Sequence, residues 1–380
     1  MNHLTLDNVH TLIDNTLTPC VSIYLPTEKA GKDVLQGKIR LKNLLRDSEG
    51  LLEAHEISDK DIQNLLAPAY ALVDDSLFWQ NCDESLAIFI SEKYFQYFKL
   101  PMTFEKKVAV GEQFQIIPLL AVLTNSDDFY ILSLSQKQIR LFQCNTFDME
   151  EIHLKDMPTN LEDALQIDTP DRQLQSHSGS TGASQAIFHG HGGGSEDNKQ
   201  KIYRFMQKIS DDILSYMPYK DLPLVTAGVS YINAIYSETN KYPYLLKDSI
   251  EGGPDNLQTK TLWEKGHQIV SLHRNKKISS ILERFHNVKN TGSGSEIASD
   301  IVSASFEGRV SDLILTANAE LWGQYDPATQ KMIIEEKHLT ESQDLFNLAA
   351  MHTLKNNGNV MVVPSELLPE PYVHIGLFRY

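Results

Sequence analysis

His189, Gly190, His191, Gly192, Gly193, Gly194 and Ser195 stand in seven consecutive positions and run straight into a segment of helical character, "EDNKQKIYRFMQKISDDIL". Glycine loses more conformational freedom on folding than any other residue, so such a cluster needs a chemical or steric reason. Three chemistries use a loop of this kind. Phosphate binding by backbone N–H groups at a helix N-terminus is one. The stretch has neither GxxxxGK[ST] nor a GxGxxG that follows a strand, and Glu196 and Asp197 would repel phosphate. Metal binding is the second. His189 and His191 form an HxH pair and His177 lies in the same segment, but no further ligand follows at a fixed spacing, so neither a metal nor another cofactor is expected. The third is a tip that enters a crowded site and offers its own backbone. Glycines permit the close approach, and N–H groups at Gly192, Gly193, Gly194 and Ser195 would stabilise a developing oxyanion.

Cations follow the glycines. Lys199, Lys201, Arg204 and Lys208 lie just beyond them, and the last three share a helix face at steps of three and four. A second set is in "GKDVLQGKIRLKNLLRD", where Lys38, Lys42 and Arg46 recur every four residues and Arg40 lies between them, with Lys32 further upstream. Leu35, Ile39, Leu41, Leu44 and Leu45 can supply that helix with an apolar side. Each set reads either as an RNA contact or as the solvated face of a helix. The whole chain carries a net charge of −16, so nucleic acid could be held only by such local basic faces. Gln185 and Gln200 flank the glycines but read as solvent-facing polar residues.

The elements that would position these groups follow from periodicity. In the first region, strands are expected over 20–26 and 85–91, with extended character through "KYFQYFKL", and helices over 34–50 and 59–74. In the second, strands over 129–135 and 138–144 read as a hairpin around Gln136-Lys137, followed by a long irregular segment over 155–195. A helix over 197–216 places Ile202, Phe205, Met206, Ile209 and Ile213 on one stripe, then come a buried strand over 222–230 and a helix over 231–240. The third region alternates helices (261–287, 295–308, and 344–358 closed by Gly358) with strands (310–317, 359–364, 372–380). The whole reads as α/β (α+β) in three domains, 1–117, 118–257 and 258–380.

The composition, 41% hydrophobic and 22% charged, is that of a soluble globular protein, and "IIPLLAVL" is far too short to span a bilayer. No basic n-region opens the chain, so no signal peptide and no membrane partner are expected, and the setting is read as cytoplasmic. Cys20, Cys82 and Cys144 form no CxxC pair and read as buried reduced thiols. Oligomeric state is not legible.

"HGHGGGS" before a basic amphipathic helix resembles the middle-domain motif of the archaeal and eukaryotic class-1 peptide-release factors, the Pelota-like superfamily, in its bacterial branch. His189, Gly190, Gly192, Gly193 and Ser195 match that family's His-Gly-x-Gly-Gly-Gln-Ser; Gly194 stands where the glutamine does. "CVSIYLPT", "SLAIFIS" and the ending "AAMHTLKNNGNVMVVPSELLPEPYVHIGLFRY" are similar to the family's other domains, so the likeness spans nearly the whole chain. It implies an RNase H-like middle domain, a C-terminal domain like ribosomal protein L7Ae, the ribosome with its tRNA and rRNA as partners, and hydrolysis of peptidyl-tRNA. It also implies RNA contact by His189 and His191 as well as by the cations. Two departures stand out: residues 1–115 hold no Asn-Ile-Lys-Ser codon-reading motif, and Gly194 keeps only a backbone group where glutamine could position water. Losing one positioned group of this type costs about 10²–10³ in rate. A slow hydrolase, a hydrolase with another helper, and a ribosome-binding factor without hydrolysis all remain open, as does a metal-dependent nuclease built on the two histidines.

Overall fold

The computed structural model describes residues 4–28, 34–126, 128–145, 149–167, 193–335 and 342–380. The chain divides into two compact units, one made of Met1–Asn125 with Ser279–Tyr380 and the other of Ser126–Ile278.

In the first segment, α1 (Leu6–Ile13) opens with a capping box that the sequence reading passed over: Thr5 N–H donates to Asn8 Oδ1 (2.9 Å) and Asn8 N–H to Thr5 Oγ1 (3.3 Å). Then come β1 (Cys20–Pro26), α2 (Val34–Ala54), α3 (Asp59–Asp74), α4 (Ser76–Gln80), β2 (Ser85–Ser91), β3 (Tyr94–Leu100), β4 (Lys107–Gly111) and α5 (Ile117–Asn125). The strands form an antiparallel sheet in the order β3-β2-β1-β4. Val21, Ile23, Ile88 and Ile90 pack under Leu41, Leu45 and Leu66 of α2 and α3, while Tyr24, Ala87 and Phe89 bury on the opposite face. Burial on both faces is why β1 and β2 read as unbroken apolar runs. Ile39, expected on the apolar side of α2, is instead 61% exposed. It lies about two residues' rotation, some 200°, from buried Leu41.

The second unit holds β5 (Phe129–Leu134), β6 (Ile139–Cys144), β7 (Met149–Ile152), α6 (Leu161–Ile167), α7 (Gly193–Asp212), β8 (Leu224–Gly228), α8 (Ser230–Thr239), β9 (Ile250–Glu251) and most of α9 (Thr259–Val288). Its sheet runs β7-β6-β5-β8-β9; β5, β6 and β7 are antiparallel, and β8 lies parallel to both β5 and β9. Tyr130, Leu132 and Leu134 face α7 and α8; Phe129, Ile131 and Val225 face α9. A Cβ on Gly266 would sit 2.7 Å from Ile131 Cδ1, so α9 lies on the sheet at a glycine. The expected irregular segment over 155–195 contains α6, and residues 168–192 of it lie outside the described residues.

The last segment carries β10 (Gly294–Ser295), α10 (Ala298–Phe306), β11 (Val310–Thr316), β12 (Trp322–Asp326), β13 (Lys331–Ile334), β14 (Gln343–Asp344), α11 (Leu345–Lys355), β15 (Asn359–Val363) and β16 (His374–Phe378). Sheet β10-β16-β11-β15 pairs β11 with β15 in parallel, and a small second sheet is ordered β13-β12-β14. α11 ends on Asn356 with Asn357 left-handed (φ 57°); Gly358 follows because a Cβ there would lie 2.7 Å from the Val310 carbonyl. The first and last segments share one core, in which Phe89, Phe114 and Leu120 meet Ile301, Leu313 and Met351. Asn347 fastens them: Ile116 N–H donates to its Oδ1 (2.7 Å) and its Nδ2 donates to the Phe114 carbonyl (2.9 Å).

Candidate functional site

α7 starts at Gly193, four residues earlier than expected. Gly194 and Ser195, read as part of an irregular loop, therefore lie in its first turn. Two features of the sequence favour a helix start here: the acidic types Glu196 and Asp197 suit the positive end of the helix dipole, and glycine is tolerated near an N-terminus where few side-chain contacts are lost. The first four N–H groups of an α-helix have no partner inside it. Those of Gly193, Gly194 and Ser195 belong to that set. His189, Gly190, His191 and Gly192, with His177 and Gln185, lie outside the described residues.

What holds this helix is its apolar stripe. Ile202, Phe205, Met206, Ile209 and Ile213 are all at most 3% exposed and pack against the sheet and α8, as the spacing predicts. Buried Ser210 accepts a hydrogen bond from Lys241 N–H (3.0 Å), tying the far half of α7 to the chain after α8. Of the cations, Lys199 and Arg204 are exposed, and Lys201 and Lys208 are half-buried. Sequence reasoning missed Tyr203, which is 42% exposed between two of them. An exposed aromatic among cations is a surface on which a nucleic-acid base can stack. Its signal was present in the sequence as a large ring on the polar arc of an amphipathic helix.

The α2 cations belong to the other unit. Lys42 and Arg46 are exposed, and Lys38 pairs with Asp74 at 3.3 Å. Arg40 is held: it donates to the Pro26 carbonyl (2.9 Å), Gln36 Oε1 (3.1 Å) and Glu28 Oε1 (3.5 Å). That geometry splints the end of β1 to α2. No group of three or more His, Cys, Asp or Glu side chains suited to a metal is found among the described residues. Nor is any helix among them long and apolar enough to cross a membrane. Cys20, Cys82 and Cys144 are buried and in no disulfide, and burial pushes the Cys20 and Cys82 thiols up to about 11.

Residues 129–271, which lie inside the second unit and include the glycine stretch and α7, match Bacterial archaeo-eukaryotic release factor family 7. The match covers this middle stretch, which is what is similar to the bacterial release-factor family. Among solved structures it is similar to an archaeal translation termination factor, aRF1, at 14% identity over 99% of this chain and 97% of that one, with a TM-score of 0.24. It is also similar to S. cerevisiae Dom34, a translation termination-like factor, at 12% identity over 77% and 74% of the two chains (TM-score 0.37). Archaeoglobus fulgidus Pelota is a third, at 12% identity over 78% and 79% (TM-score 0.28). No curated relative matches the chain.

Proposed function

We propose that this protein is a ribosome-associated, release-factor-like factor that brings the N-terminus of α7 to the ester of peptidyl-tRNA. Water is the nucleophile, and the N–H groups of Gly193 and Gly194 stabilise the oxyanion of the tetrahedral intermediate. The observation that supports this reading is the start of α7: Gly193, which matches the family motif, and Gly194 stand in the first turn of a helix whose other end is packed into the core. Lys199, Lys201, Arg204 and Lys208, with Tyr203, are assigned to rRNA or tRNA, as are Lys38, Lys42 and Arg46 on α2. Arg40 is assigned there through its neighbours. His189 and His191, with Gly192 and Ser195, complete the tip. In this proposal 1–117, 118–257 and 258–380 are the functional modules, the second RNase H-like and the third L7Ae-like, and the protein works in the cytoplasm.

A second reading is favoured by one residue. Gly194 offers no side chain to position water, so the same body would occupy the ribosome without clearing it. The test compares release of labelled peptide from stalled ribosome complexes by the native chain and by Gly194→Gln. Release by the native chain supports the hydrolase. Release only by the variant supports the occupying factor. Failure of both proteins to co-sediment with ribosomes at low salt would overturn both readings.

A further inference from the structure

Within the first unit, a cleft of about 720 Å³ opens between α3 and the hairpin β2–β3. Its apolar walls are Ile57, Leu65 and Pro68 on the helix side and Ile90 and Phe95 on the strand side. Leu65, Ile57 and Phe95 are half-buried and lean on the core under α2 and α3. Beside these walls stand Thr18, Asn64, Ser91 and Lys93 and two groups that only accept. Asp61 and Glu92 supply carboxylates, and both are exposed. Pro68, inside α3, has no N–H to give to the carbonyl of Asn64, one turn earlier, and Asn64 also lines the cleft. The one cation there, Lys93, is paired with Glu92 at 3.4 Å.

The strand side adds a second recognition element. β3 ends its sheet and pairs with β2 alone among the described residues. The turn between them has two residues, so Ser91 and Tyr94 form the first hydrogen-bonded pair. Alternation then turns the N–H and C=O of Phe95, Tyr97 and Lys99 away from β2. An open strand edge beside a helix-walled apolar cleft is a seat for one more strand.

These features together select one ligand chemistry. A strand edge takes an extended chain. Acceptors over an apolar wall suit a lysine or arginine, whose stem packs on the wall while its head reaches Asp61, Glu92 and the Asn64 carbonyl. A nucleic acid would bring phosphates to the carboxylates instead. The geometry points to a docking site for an extended basic peptide segment of a partner protein, added to β3 with a cationic side chain in the cleft beside α3. This site is independent of the α7 tip.

The test uses the full chain and a fluorescein-labelled hexapeptide of alternating valine and arginine, read by anisotropy. Binding is expected, with amides of β3 protected from hydrogen exchange. Asp61→Asn combined with Glu92→Lys should weaken it about tenfold, since both are exposed and each charge contributes modestly. The same peptide with alternate valines replaced by proline, which cannot complete a ladder, should bind far more weakly. Equal binding of the proline peptide, or of an alternating valine–glutamate peptide, would overturn the proposal, because it would show adherence to an acidic surface or to no specific site. So would a uridine hexanucleotide protecting the same amides, or unchanged affinity in the double variant.

Discussion

Asp344→Asn tests what a buried carboxylate costs in the last segment of the first unit. Asp344 is 2% exposed and caps α11, accepting from Phe346 N–H (3.1 Å), Asn347 N–H (3.4 Å) and Leu321 N–H (3.4 Å). Burial pushes its carboxyl from 3.8 up to about 6; Lys107 and the amides pull it back, and Glu320, which pairs with Lys107 at 2.6 Å, pushes it up again. The folded protein therefore holds this proton more tightly than the unfolded chain does. The stabilisation is complete below about pH 4 and is lost as pH rises through about 6. A shift of about two units corresponds to about 3 kcal/mol at neutral pH, at ~1.4 kcal/mol per unit. Asparagine keeps the acceptor for the cap and removes the charge. The variant should therefore be more stable than the native chain at pH 8 and indistinguishable from it near pH 4. His352 and His374, whose burial lowers their values, act in the opposite sense but are common to both proteins and cancel in the difference. The assay is urea unfolding at pH 4.5, 6 and 8 in a Trp263→Phe background, so that fluorescence of Trp79 and Trp322 reports the first unit alone. A stability difference that does not change with pH, or a variant less stable at pH 8, would refute the reasoning.

Asn347→Ala strands the buried Ile116 N–H and Phe114 carbonyl and should cost about 2–4 kcal/mol in the same unfolding assay. Two glycines of α2 should respond with opposite signs. Gly37→Ala puts a Cβ 2.7 Å from Trp79 and should destabilise by about 1–3 kcal/mol, whereas Gly50→Ala meets nothing within 4 Å and should stabilise by about 0.5–1 kcal/mol. Replacing Lys201, Arg204 and Lys208 together by alanine should lower the salt dependence of ribosome binding by about two to three units of log–log slope, with no loss of the thermal transition. A slope that stays put would assign those cations to the solvated face of α7.

Which parts of this architecture were legible depended on whether burial was local. The α7 stripe was readable because one face meets the core at every turn, from Ile202 to Ile209 and on to Ile213 just past its end. β1 and β2 were readable because both of their faces are covered. The small sheet of β12, β13 and β14 left no pattern: Ile333 and Ile334 are adjacent and both more than half exposed, so neither alternation nor an apolar run exists to be seen. α6 escaped notice inside a segment dominated by serine and glycine. The shared core of the first and last segments is a long-range fact, since no local period tells Phe114 that its partner is Asn347, 233 residues away. At the candidate site the cations and the apolar stripe were legible. The helical state of Gly193 and Gly194 was not, because glycine propensity argues against it and only the following acidic turn argues for it.

The chain order of that shared core has a consequence for synthesis. During translation the sheet of β1 to β4 emerges early, and α2 and α3 cover one of its faces at once. The other face, with Tyr24, Phe89 and Phe98, shares its core with α1, Phe114 and α5 of its own segment, but the rest of that core comes from α10, α11 and β11 at the far end of the chain. At ~5–20 residues per second, the stretch from residue 126 to 380 takes on the order of 10–50 s to make. For that interval the nascent protein carries an aromatic core only partly covered, and the inserted second unit is finished before the unit that surrounds it in sequence.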